Sequence, residues 1–137
     1  MKTIHTKVAT FSYNPNERLL HMKILDGAEI EVENAIENYE ATQLLVGGHK
    51  HLLLVDGTAN VYISKEAKIY SAKQKPNSPI AMALIVTSTA NRLVGNFYIN
   101  FNKPAVPTKL FSTEEKAIEW LKSFLYLTEL ENTAGEI

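Results

Sequence analysis

Residues 80–121 read IAMALIVTSTANRLVGNFYINFNKPAVPTKLFSTEEKAIEWL. The run 80–86 is almost wholly apolar, as expected of a strand covered on both faces. A helix over 90–101 follows, with Leu93, Val94, Phe97 and Phe101 at helical spacing. Residues 102–107 cross over to a short strand at 108–111. Ser112-Thr113-Glu114-Glu115 reads as an S-x-x-E capping box. It opens a helix over 113–127 whose core stripe is Ala117, Ile118, Leu121, Phe124 and Leu125. Strands alternating with helices in this way predict a sheet with parallel pairing.

The same alternation extends upstream. Residues 7–13 and 19–24 read as a hairpin around Asn14-Pro15-Asn16-Glu17, where proline and asparagine favour a turn. Residues 29–32 add a short extended piece. Val32, Ile36, Tyr39, Gln43 and Val46 recur at helical spacing, so a helix is expected over 33–46, stopped by Gly47-Gly48. HLLLVD at 51–56 is apolar on both faces and reads as a central strand. Ser64 is placed to cap a helix over 65–72, and KQKPNSP at 73–79 is a loop. The order β-β-α-β-α-β-α-β-α predicts one α/β domain over 1–127. Its expected core is a mostly parallel mixed sheet of about five strands flanked by helices, and a polar tail follows at 128–137.

Composition narrows the function classes. The chain has 137 residues and is 45% hydrophobic, enough for a real core. Its 14 basic and 15 acidic residues give a net charge of −1, which argues against a general nucleic-acid binder. It has no cysteine, which excludes disulfides, thiolate ligands and thiol nucleophiles. The first 20 residues lack the apolar core of a signal peptide. No run approaches the ~18 apolar residues of a membrane helix. A cytoplasmic protein without membrane insertion is expected.

Two stretches carry a family resemblance: HLLLVDGTANVYISKEAKIY at 51–70, and VTSTANRLVGNFYINFNKPAVPTKLFSTEEKAIEWL at 86–121. With the element order and length, they resemble the SpoIIAA-like or STAS-like domains over residues 4–126, a fold also similar to part of the SEC14/CRAL-TRIO lipid-transfer group. The second stretch looks most like an uncharacterised branch of these small bacterial proteins. The resemblance implies a sheet flanked by helices that binds a protein partner or a small ligand, without catalysis. STAS domains of the anti-anti-sigma type carry a D-S-S-G turn whose serine is phosphorylated at a helix start. The corresponding stretch here, Tyr62-Ile63-Ser64-Lys65-Glu66-Ala67, lacks that motif and keeps only Ser64.

Three candidate sites follow. Ser64, Lys65 and Lys68 form a phosphorylation or interaction candidate, and Lys73 and Lys75 extend its basic character toward an acidic partner or a phospholipid head group. Thr87, Ser88, Thr89, Asn91 and Arg92 form a ligand or anion candidate, where helix N–H groups and hydroxyls lie beyond a strand's carboxyl end. Phe97, Tyr98 and Phe101 form an apolar pocket or interface candidate, since helix 90–101 is apolar around much of its circumference. Asn91 and Asn96 interrupt that face and argue against simple membrane binding. His49 and His51 share one side of a strand and are expected to face solvent at its entrance. They lack the further ligands a metal site needs. No catalytic residue, cofactor or metal is expected.

The function expected is a non-catalytic regulatory module with an unknown protein partner, in which the aromatic helix could also serve as a homodimer face. The alternative is a small-molecule or lipid-binding protein, with a pocket beside helix 90–101 for a small apolar ligand.

Overall fold

A computed structural model describes the backbone of residues 2–135 and the side chains of residues 2–125. The expected alternation is present, with two additional strands. β1 (Lys2–His5), β2 (Ala9–Asn14) and β3 (Leu19–Ile24) form an antiparallel meander. β4 (Ala28–Ile30) leads into α1 (Val32–Val46), and β5 (Leu52–Asp56) and β6 (Val61–Ile63) precede α2 (Lys65–Ala72). β7 (Met82–Ile85) is followed by α3 (Thr89–Phe97), a π-helical turn at Tyr98–Asn102, β8 (Thr108–Phe111) and α4 (Glu114–Gly135).

The main sheet has six strands in the order β1-β2-β3-β5-β7-β8. The three pairings from β3 to β8 are parallel, as crossover helices require. β4 and β6 form a separate parallel pair. Short polar β1 and three-residue β6 have little local signal, and their partners are set by tertiary pairing. α1 ends where Gly47 adopts φ 57° and its N–H donates to the Gln43 carbonyl. α4 extends to Gly135 rather than stopping near 127, because no glycine or proline interrupts 114–134. The expected polar tail is thus helical through 135, and residues 136–137 lie outside the described residues.

Strand alternation sorts the core into two layers. One face buries Phe11, Leu20 and Val55 beneath the side of α1 and α2, with Ala35, Ala41 and Ala67 in the same cluster. The other buries Leu52, Leu54, Ala83 and Ile85 against Ala117 and Leu121 of α4. The small side chains of Ala81 and Ala83 leave room for α4 to lie close. Over β1–β3 this second face is polar, with Thr3 to Ser12 and His5 to Thr10 contacts at 3.4 and 3.1 Å.

Candidate functional site

The first layer is incompletely filled. Met22, Leu53, Met82 and Leu84 lie on strands inside the sheet and point toward the helices, yet all four are only partly buried. They floor a cavity of about 270 Å³. That is just under the ~300–1,000 Å³ typical of ligand pockets. Its lining runs from His51 and Pro79 at the amino ends of β5 and β7 to Gly57 and Val86 at their carboxyl ends. α1 contributes Tyr39 and Thr42, α2 contributes Lys68 and Tyr70, and α3 with its π-turn contributes Val94, Gly95 and Tyr98.

α3 is the loosest wall. Among its residues only Gly95 is buried, while Leu93 is 66% and Phe101, on the π-turn, 73% exposed. Gly95 is the close approach to the sheet. A Cβ built there would lie 2.8 Å from Leu110 Cδ2 on β8. The start of the helix is fastened by polar groups. Ser88 Oγ accepts from the Asn91 N–H at 3.0 Å, and Asn91 Nδ2 donates to the Gly57 and Ala59 carbonyls, both at 2.9 Å. Arg92 Nη2 donates to the Val86 carbonyl at 3.4 Å and to Ser112 Oγ at 3.2 Å.

These contacts redefine the predicted sites. Ser88, Asn91 and Arg92 are fasteners that dock α3 onto strand ends; Thr87 and Thr89 beside them are exposed. Asn91 therefore does not interrupt the outer face of α3, contrary to the sequence expectation. Ser112 serves Arg92, and the hydroxyl accepting from an α4 N–H is Thr113 Oγ1, from Lys116 at 3.4 Å. The cap thus sits one residue later than the S-x-x-E register suggested. Ser64 is 3% exposed and its Oγ accepts the Ala67 N–H at 3.1 Å. It is an internal helix cap rather than a surface hydroxyl. Lys65 is exposed beside it, and Lys68 is half-buried.

Of the aromatic trio, Tyr98 lines the cavity, whereas Phe97 and Phe101 stack outside it with ring centroids 4.3 Å apart. Lys68 Nζ lies 5.4 Å from the Phe97 ring centre. The Tyr98 hydroxyl has no hydrogen-bond partner among the described residues, and burial pushes its pKa up to about 12. π-helical turns such as the one it begins are rare and frequent at functional sites.

The amino-end rim is built by the 73–79 loop. Lys75 Nζ donates to the Tyr70 and Lys73 carbonyls at 2.6 and 2.8 Å, tying off the end of α2. It also lies 4.5 Å from the Tyr70 ring centre. Burial, with the Lys73 charge, lowers its pKa. Tyr39 donates to the Pro76 carbonyl at 2.6 Å. Asn77 holds the left-handed φ of 58°, which asparagine tolerates, and donates to Gln43 Oε1 at 3.3 Å. His51 does not face solvent as expected; it is 1% exposed and lines the cavity. Its Nδ1 lies 3.0 Å from the His49 carbonyl, which can only accept, so Nδ1 carries the proton. Burial lowers its pKa. Among the described residues no three potential ligands group as a metal site, and no helix is long and apolar enough to cross a membrane.

The architecture is that of a SpoIIAA-like α/β domain. It is similar to the crystal structure of an uncharacterised DUF3478-family protein with a SpoIIAA-like fold from Shewanella loihica PV-4, at 14% identity and TM-score 0.53, covering 88% of this chain and 90% of that one. More particularly, the chain belongs to the family described as domain of unknown function DUF7793, which matches residues 13–125. A protein of unknown function from Arthrobacter sp. FB24 aligns at 23% identity over 86% of this chain and 95% of that one, with a TM-score of 0.33. A comparison with curated proteins found no match.

Proposed function

We propose that this protein is a non-catalytic binding module holding a small apolar-bodied molecule between its sheet and α3. The observation that carries the reading is the partly uncovered row Met22, Leu53, Met82 and Leu84 beneath a cavity of about 270 Å³. A cleft of that size leaves these apolar side chains short of packing partners, and an occupant supplies the missing contacts.

Binding of the neutral fluorophore N-phenyl-1-naphthylamine tests the proposal. Saturable one-site binding is expected, lost in Leu84→Trp and in the milder Met82→Phe, with the thermal midpoint held or raised. Wild-type protein without saturable binding refutes the reading.

A second reading, a regulatory module with a protein partner, draws on the outer face of α3. Leu93, Phe97 and Phe101 are exposed together beside Lys68. Residues 67–113 contain no Asp or Glu, so the partner would present an acidic surface around an apolar centre. The double variant Phe97→Ser/Phe101→Ser separates the two roles. A partner held equally by wild type and variant does not use this face.

A further inference from the structure

Resting on the cavity reading above, we infer that the cavity's ligand is an apolar-bodied anion: a medium-length hydrocarbon carrying a carboxylate or phosphate head. The sheet side is purely hydrocarbon and thioether where Met22, Leu53, Met82 and Leu84 lie, which suits an aliphatic body. The polar wall is one-signed. Lys68, Lys73 and Lys75 all line the cavity, and no Asp or Glu does.

The wider chain shares this asymmetry. Six cations and no carboxylate occur between Glu66 and Glu114, in a protein whose net charge is −1. α2 carries one carboxylate, Glu66 in its exposed first turn, which does not line the cavity; the 73–79 loop, α3, the π-turn and β8 carry none. A ligand anion is the counter-charge those walls lack.

Hydrogen-bond capacity points the same way. Tyr98 lines the cavity, its hydroxyl has no hydrogen-bond partner among the described residues, and burial holds it in the donating, protonated form. Among the described residues Lys68 Nζ has a ring contact, to Phe97, and no hydrogen bond. Both are donors that an anionic oxygen would satisfy. An ammonium head would meet lysines and no carboxylate, and a neutral hydrocarbon would offer the hydroxyl no partner.

The size follows from the volume. About 270 Å³ lies just under the ~300–1,000 Å³ typical of ligand pockets, so probes with a ten-carbon body are suitable. Displacement of N-phenyl-1-naphthylamine by decanoate, decyl phosphate, decanol and decylamine tests the inference. Decanoate or decyl phosphate is expected to displace at least tenfold more tightly than decanol, about 1.4 kcal/mol, with decylamine weakest. Whichever anion binds more tightly identifies the head group. Lys68→Gln should erase most of the anion advantage and leave decanol unchanged. Tyr98→Phe, which keeps the ring and its packing, should also weaken both anions.

Decanol or decylamine binding as well as decanoate overturns the anionic head while leaving the cavity reading intact. An anion advantage that persists in both variants overturns the assignment of these donors. A fluorophore that fails to bind, or that no probe displaces, overturns both readings.

Discussion

Gly95 sets how closely α3 can approach the sheet, and Gly95→Ala tests that geometry. The new methyl would lie 2.8 Å from Leu110 Cδ2 and 3.2 Å from Cδ1, inside the ~3.5–4.0 Å optimum for carbon contacts. Two effects oppose each other. Alanine in a helix interior gains ~0.8–1 kcal/mol over glycine. Overpacking costs ~1–3 kcal/mol. The clashing atoms are the end of a half-buried leucine that can rotate, which places the cost in the lower half of that range. The single variant should therefore lose about 0–1 kcal/mol. Leu110→Ala removes the obstacle and by itself costs ~2 kcal/mol, the low end for a leucine truncation, because Leu110 is only partly buried. Combined, the two should couple favourably by ~1–2 kcal/mol. Urea unfolding measures this through the midpoint, with an unchanged slope. Additivity within ~0.5 kcal/mol refutes the claim that Gly95 is the contact point between α3 and β8.

Two further outcomes follow from the site. His51 protonates near its ordinary 6.5 in the unfolded chain and only at lower pH when folded, because it is buried. Its contribution to stability is therefore complete above about pH 6.5 and falls as the pH drops through the folded value. The thermal midpoint of wild type should drop more than that of His51→Asn between pH 8 and 5, and equal drops would contradict the assignment. Ser64→Ala should cost ~1 kcal/mol by removing the α2 cap while leaving fluorophore affinity unchanged. A loss of affinity would mean that α2 moves with its cap.

Particular residues show how far local reading reaches. α1 was legible from its apolar spacing and α2 from its Ser64 cap, because both are properties of neighbouring residues. The helix at 90–101 was legible too, but as a regular helix with its apolar side inward. Leu93, Phe97 and Phe101 instead face outward while Val94 and Tyr98 line the cavity, and a π-turn replaces its last turn. Asn91 and Arg92 carry no local mark of their partners, since Gly57, Ala59 and Ser112 are 20 or more residues away. His51 looked like the entrance of a strand, and it is; it is nevertheless buried, and shares the cavity lining with Thr42, Asn77 and Pro79 from distant segments.

The sequence by itself determined the alternation of strands and helices apart from β1 and β6, the single α/β layer arrangement and the unbalanced charge of residues 67–113. Those are consequences of backbone propensity and side-chain period, which act over a few residues. Only the tertiary structure decided that α3 stands off the sheet, that Ser64 is sealed inside, and that a cavity lies over Met22, Leu53, Met82 and Leu84. A cavity is the mismatch between surfaces contributed by distant segments. Its existence depends on ångström-scale stand-offs such as Gly95 against Leu110, which no local pattern encodes.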